Sequence, residues 1–145
     1  MKFKLIEQTQ YNTCLHCVLA MIVGETEEYV RSWFKYIDPP LYDEDAFLFL
    51  AHHGIYLCLW LPLESRSLNE NDEISIIVGF KGRPAYIVVE SETMESRYHA
   101  VLWDGERVLD PRKGVRKLEE FKMYGFYPLM WTGQRSKKYE EAPVK

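Results

Sequence analysis

The segment YHAVLWDGERVLDP, residues 98–111, contains two apolar runs separated by the dipeptide Asp104-Gly105. Asp-Gly between two such runs is typical of a β-hairpin with a type I′ turn. With this dipeptide at the centre of the turn, His99 and Asp110 face each other on the same side of the sheet. Facing Cβ atoms lie about 4.5–5.5 Å apart, which allows an imidazole–carboxylate hydrogen bond. A simpler interpretation is that Asp110 only starts the Asp-Pro turn and His99 is a half-buried strand residue.

The chain before this hairpin has the apolar spacing of helices. Residues 15–22 carry apolar side chains at i, i+3, i+4 and i+7, the pattern of a buried helical stripe. Asn12 or Thr13 can cap this helix and Gly24 can end it. The other two predicted helices are residues 27–36, capped by Thr26, and residues 44–53, capped by Asp43.

After Gly54 the pattern changes to the alternation of strands. The predicted strands are residues 55–61, 74–80, 84–90, 97–103, 106–110 and 126–131, with a short helix at residues 117–124. Helices followed by an antiparallel sheet indicate the α+β class. We predict one domain over residues 1–132 and a disordered tail over residues 133–145.

Composition and charge limit the class of protein. The 145 residues are 47% hydrophobic and carry 18 basic and 22 acidic side chains, for a net charge of -4. The signs are interspersed without a basic block, which argues against nucleic acid as a partner. No apolar run approaches the roughly 20 residues of a membrane span, and the N-terminus does not resemble a signal peptide. The odd count of 3 cysteines favours a reducing compartment, so we expect a cytoplasmic protein without a membrane partner.

The tetrapeptide CLHC, residues 14–17, allows several cysteine chemistries. A redox dithiol usually follows a strand, whereas a polar segment precedes Cys14. A zinc site needs four ligands, and the adjacent His52-His53 is not a second pair at metal-ligand spacing. Haem attachment needs a histidine at the position of Val18. We interpret Cys17 as an apolar core thiol.

Other residues near this motif are interpreted as structural. Cys58 lies in an apolar strand, and His52 and His53 suit the C-terminus of a helix. His16 points away from the apolar stripe, so we expect it to be solvated.

Cys14 alone fits a nucleophile. At the first turn of a helix its sulfur faces the positive end of the helix dipole, which stabilises a thiolate. A nucleophilic thiol also needs an imidazole and an orienting carboxylate, and His99 and Asp110 offer both. The alternative is that Cys14 is a small buried hydrophobic residue.

These residues carry a family resemblance. Gln8 and the run CLHCVLAMI resemble the Gln-x5-Cys-x4-Leu-Ala-Met-Ile pattern of the bacteriocin-processing, double-glycine group of papain-like cysteine peptidases. RPAYIVV, YHAVLWDGERVLDP and the following Lys-Gly resemble the Pro-Ala-Ile strand, the histidine followed by apolar residues, the Asp-Pro and the Lys-Gly of that family. The resemblance spans Gln8 to about Gly114 in the same order.

The resemblance implies a papain-like fold, with N-terminal helices packed on an antiparallel sheet. It makes Cys14 the nucleophile, His99 the general base and then acid, and Asp110 the orienting residue. Gln8 becomes the side-chain donor of the oxyanion hole beside the backbone N–H of Cys14, and Gln10 is the alternative donor. No metal or organic cofactor is implied, and the expected partner is a peptide or protein substrate.

The departures from the family pattern limit what transfers. Thr13 and Leu15 stand where the family usually has Asp and Gly, and Leu15 is expected to narrow the cleft. The chain has no membrane or nucleotide-binding domain, so we expect a stand-alone peptidase or isopeptidase, without double-glycine leader cleavage. A transferase or deamidase with the same triad, and a non-catalytic papain-like module that binds a peptide or protein, stay open as alternatives.

Overall fold

The computed structural model describes residues 2–57, 82–93 and 98–132, which form three α-helices and a six-stranded antiparallel sheet. The helices are α1 (Cys14–Val23), α2 (Glu27–Trp33) and α3 (Asp43–His52). The strands are β1 (Ile55–Leu57), β2 (Ala85–Glu90), β3 (Tyr98–Trp103), β4 (Val108–Asp110), β5 (Gly114–Arg116) and β6 (Met123–Trp131), in the sheet order β1-β6-β2-β3-β4-β5. The predicted α+β class is confirmed. Cys58, the predicted strand at residues 74–80 and the predicted tail at residues 133–145 lie outside the described residues.

Helix α1 ends where the sequence predicts. Gly24 has a φ of 73°, in the left-handed region that glycine adopts without strain, and its N–H donates to the carbonyl of Ala20. Thr13 is the N-cap residue, but its hydroxyl donates to the carbonyl of Gln10 at 2.9 Å and does not cap the helix. Every residue of α1 after Cys14 is buried, so the packing of the helix fixes the position of Cys14.

Helices α2 and α3 differ from prediction at their ends. Thr26 caps α2 as predicted, because its Oγ1 accepts from the N–H of Tyr29 at 3.1 Å, but the helix ends at Trp33 and not at residue 36. Asp43, the predicted cap of α3, is already the first residue of that helix. Its carboxylate accepts a hydrogen bond from the Tyr86 hydroxyl at 2.8 Å, which ties α3 to β2.

The β3–β4 hairpin has a longer connection than the sequence predicts. Trp103 pairs with Val108, so residues 104–107 form the connection. The Asp104 side chain explains the difference, because its Oδ1 accepts hydrogen bonds from the N–H groups of the last two residues of the connection, at 2.8 and 2.7 Å. Such an Asx-type turn replaces the predicted two-residue type I′ turn.

This register differs from the predicted one by two residues. Side chains alternate between the faces of a sheet with a period of two, so an even shift leaves each residue on its face. His99 and Asp110 therefore stay on the same side of the sheet, as diagonal neighbours and not as directly facing residues. A shift of one residue would have separated them.

The predicted helix at residues 117–124 is present only as a 3-10 turn, Leu118–Glu120. β6 begins directly afterwards, because Met123 and Phe126 pair with β2 and are fully buried. The short strand β5, which precedes the turn, is absent from the sequence prediction.

The two faces of the sheet bury separate apolar clusters. The helices cover one face, where α1 packs against Ala100, Leu102 and Leu109. The 3-10 turn covers the other face, where Leu118 and Phe121 meet Val101 and Val108. Within the described residues no helix is long and apolar enough to cross a bilayer.

Candidate active site

Three elements bring the predicted reactive residues together. Cys14 is the first residue of α1, His99 lies in β3, and Asp110 is the last residue of β4. The Cys14 thiol interacts with the His99 imidazole, which in turn contacts the Asp110 carboxylate. The backbone N–H of Ala100 in β3 also lies close enough to the sulfur to lower the pKa of the thiol, because α1 packs against that strand.

His99 and Asp110 form a buried hydrogen-bonded pair. The imidazole Nε2 lies 2.7 Å from Asp110 Oδ1, so the hydrogen bond that the sequence predicts is present, and the two residues are only 5% and 1% exposed. The other ring nitrogen, Nδ1, is buried and has no hydrogen-bond partner of regular geometry among the described residues. Because Asp110 occupies Nε2, Nδ1 is the nitrogen that remains for the Cys14 sulfur. Such hydrogen bonds are often long before a substrate binds.

Asp110 accepts hydrogen bonds on both carboxylate oxygens. Oδ1 also accepts from the backbone N–H of Arg112 at 2.9 Å, and Oδ2 accepts from the Arg116 guanidinium at 3.2 Å. Burial alone would raise the pKa of this carboxyl, but the donors from His99, Arg112 and Arg116 hold it below its ordinary value. Asp110 is therefore ionised at neutral pH.

The Cys14 thiol is half-buried at the start of α1. Burial would raise its pKa, but the nearby, positively charged His99 imidazole, with the N–H groups of Ala100 and Leu15, brings the pKa below the ordinary value. The Leu15 N–H is one of the unpaired donors at a helix N-terminus, so the helix contributes to this effect as predicted.

The His99 imidazole is the positive partner of this thiolate. Burial would lower its pKa, but the hydrogen bond to Asp110, the nearby Cys14 thiol and the negative charges of both groups raise it to about 9. The lowered pKa of the thiol and the raised pKa of the imidazole both favour a thiolate–imidazolium ion pair.

The segment that contains Gln8 forms hydrogen bonds next to Asp110 and just before Cys14. Its backbone N–H donates to the carbonyl of Pro111, directly after Asp110, at 2.8 Å. Its side-chain Nε2 donates to the carbonyl of Gln10 at 3.2 Å, and the Thr13 hydroxyl donates to the same oxygen. An amide nitrogen carries two hydrogens, so one remains for an oxyanion while the other orients the group.

Gln10, the alternative donor, is engaged elsewhere. It is exposed, and in the amide orientation that satisfies both groups its side-chain oxygen accepts from Arg31 at 2.9 and 3.2 Å. The Arg31 contact holds this side chain against α2.

Two expectations about the neighbours of Cys14 are wrong. His16 is only 1% exposed and not solvated, because α2 and the following turn cover that side of α1 and place Phe34 edge-on to its ring. Leu15 is 4% exposed and packs in the core, so it does not narrow a cleft. Burial lowers the pKa of His16, and the neutral imidazole is its stable form at neutral pH.

Cys17 is a core thiol, as predicted. It is fully buried, and burial together with the nearby Glu27 carboxylate raises its pKa far above that of an ordinary cysteine. Cys14 and Cys17 are therefore chemically distinct, although one helical turn separates them.

Sequence reasoning missed Arg116, which depends on how β5 returns beside β4, and the backbone donor of Arg112, which is a local contact in the turn after Asp110. The described residues contain no group of three or more His, Cys, Asp or Glu side chains that could hold a metal ion. Comparisons with models of protein families, with curated proteins and with solved structures find no match for this chain.

Proposed function

We propose that this chain is a papain-like cysteine peptidase or isopeptidase that acts through Cys14, His99 and Asp110. The observation that carries the proposal is the buried His99–Asp110 pair beside a thiol whose pKa is lowered at a helix N-terminus. A nucleophile, a base and a group that orients the base are the three parts of acyl-transfer catalysis. The free thiols of Cys14 and Cys17 are compatible with a reducing compartment such as the cytoplasm.

In the proposed mechanism the Cys14 thiolate attacks the carbonyl carbon of the scissile amide. The oxyanion that forms accepts hydrogen bonds from Gln8 Nε2 and from the N–H of Cys14. His99 donates its proton to the leaving amine, and the C–N bond breaks to give a thioester on Cys14. A water molecule then gives its proton to His99 and attacks the thioester, which releases the acid and restores the ion pair.

The same geometry serves related reactions. An amine in place of water makes the reaction a transfer, and a glutamine side chain as the scissile amide makes it a deamidation. A protein that only binds peptides is the other class to be tested, and it has no need of a lowered thiol pKa.

The test has two steps. A peptide-based electrophilic probe for cysteine peptidases should label the wild-type protein and the Cys17→Ser control, and should not label Cys14→Ala. Proteins trapped on Cys14→Ala in the native host are then incubated with the wild-type enzyme and analysed by mass spectrometry. Two fragments whose masses sum to the substrate plus water support a peptidase. If the probe labels Cys14 no faster than an ordinary thiol, the result supports the non-catalytic binding module.

Turnover and alkylation of Cys14 should depend differently on pH. Both rates require the thiolate, so both should decline as the pH falls. The midpoint of this decline should lie below the reference cysteine pKa of about 8.5. As the pH rises above about 9, His99 loses its proton and can no longer protonate the leaving amine. Turnover should therefore fall there while alkylation continues. Iodoacetamide labelling and peptide hydrolysis, followed across this pH range, measure the two profiles, and a parallel alkaline decline would contradict the ion-pair assignment.

A further inference from the structure

We propose that Arg116 is a positioning residue of the site, which holds the Asp110 carboxylate in the orientation that His99 requires. The inference rests on the proposed function and extends it to a fifth side chain, beyond Cys14, His99, Asp110 and Gln8. It follows from the contacts of the two Asp110 oxygens and from the way in which Arg116 itself is fixed.

The two carboxylate oxygens of Asp110 accept hydrogen bonds from different groups. Oδ1 accepts from His99 Nε2 at 2.7 Å and from the N–H of Arg112 at 2.9 Å. Oδ2 accepts from Arg116 Nη1 at 3.2 Å, the one hydrogen bond to this oxygen among the described residues. The Asp110 side chain is only 2% exposed, so bulk water cannot readily replace the guanidinium. Without Arg116 the carboxylate can rotate, and the hydrogen bond to His99 weakens.

Arg116 is held from three other directions. Its Nη1 donates to Glu92 at 2.7 Å, its Nε and Nη2 lie 3.4 Å from Glu120, and its guanidinium lies 4.3 Å from the centre of the Phe121 ring. The side chain is 13% exposed. An arginine fixed in this way presents its N–H groups in a constant direction, and it remains charged at every pH at which the enzyme could act.

Lys113 provides a matched control. Its ammonium pairs with Glu92, the same carboxylate that Arg116 contacts, but it makes no contact with Asp110. Lys113→Gln and Arg116→Gln each remove one positive charge beside Glu92, and only Arg116→Gln removes the donor to Asp110 Oδ2. A difference between the two variants therefore does not come from the charge beside Glu92 and reports on the contacts that Arg116 alone makes, to Asp110, Glu120 and Phe121.

The experiment measures kcat and KM for peptide hydrolysis, and the rate at which iodoacetamide alkylates Cys14, at neutral pH in both variants. Loss of a side chain that orients a metal ligand typically costs about 10–100-fold in activity. By analogy we expect a fall of that size in kcat and in alkylation for Arg116→Gln, with KM little changed. Methylguanidinium at low concentration should restore part of both rates, because it can occupy the place of the lost side chain. Lys113→Gln should stay within about two-fold of wild type.

Arg116→Lys is the second variant, in case Arg116→Gln does not fold. It keeps the charge beside Glu92 but loses the guanidinium fork, and should fall between wild type and Arg116→Gln. Equal rates for wild type, Arg116→Lys and Arg116→Gln, or an equal loss in Lys113→Gln, would overturn the inference.

The outcomes also separate this inference from the proposed function. If alkylation of Cys14 depends on Arg116 but trapped substrates are not cleaved, the positioning role stands and the peptidase assignment falls. If substrates are cleaved and Arg116→Gln is as fast as wild type, the peptidase assignment stands and the positioning role falls.

Discussion

His99→Ala should reduce turnover to near background while it slows, without abolishing, the alkylation of Cys14 at about pH 6. In the proposed mechanism the His99 imidazolium gives its proton to the leaving amine, and the neutral imidazole then takes a proton from water, so loss of His99 removes both proton transfers. Loss of a triad member in comparable enzymes costs on the order of 10⁴–10⁶ in turnover. The thiolate keeps the N–H donors of Leu15 and Ala100, and for this reason alkylation is expected to persist at a reduced rate.

Peptide mapping of alkylated protein measures this prediction. In the wild type Cys14 should be the fast site, because burial and Glu27 raise the pKa of Cys17 far above its ordinary value. A redox dithiol would instead react at either cysteine with little response to His99. An unchanged rate at Cys14 in His99→Ala, or preferential labelling of Cys17, would remove Cys14 and His99 as a catalytic pair.

The first helix is the part of the site that the sequence predicts best. An apolar stripe of helical period that ends at Gly24 indicates an α-helix. Cys14 could therefore be placed at the start of that helix. The Thr13 cap is the exception at this helix. Its hydroxyl donates to the Gln10 carbonyl in the turn that precedes α1, and therefore does not cap the helix.

The hairpin could be predicted in kind but not in register. Asp104-Gly105 indicates a turn, yet the Asp104 carboxylate forms local hydrogen bonds that lengthen the connection. The His99–Asp110 contact survives this error only because the shift is even. The predicted contact between His99 and Asp110 is therefore correct, although it is derived from an incorrect register.

Arg116 and the burial of His16 depend on tertiary packing that local pattern does not contain. β5 has three residues, too few for a recognisable alternation, so nothing in the sequence places Arg116 beside Asp110. His16 lies off the apolar stripe, which predicts a solvated side chain for a helix with one buried face. In this fold α1 is buried on nearly all sides, and that rule does not apply to it.

Gln8→Ala should reduce kcat by about 10²–10³, the usual effect of removing one oxyanion donor, with little change in thermal stability. One side-chain N–H of Gln8 donates to the Gln10 carbonyl and orients the amide, and in the proposed mechanism the second N–H donates to the oxyanion. The Cys14 N–H would remain as the second donor and would keep part of the activity. Gln8→Glu, which preserves the shape but replaces the donor with a negatively charged acceptor, should be at least as slow.

Gln10→Ala is the matched control, two positions away and with a side chain that contacts Arg31. Its kcat should stay within about two-fold of wild type, as for most exposed substitutions. Alkylation of Cys14 separates a lost oxyanion donor from a damaged nucleophile, because iodoacetamide forms no oxyanion. Gln8→Ala should therefore alkylate at the wild-type rate while its hydrolysis is slow. If Gln10→Ala is the slow variant and Gln8→Ala is not, the resemblance to the double-glycine peptidases is misaligned at the N-terminus, and Gln10 takes the role assigned to Gln8.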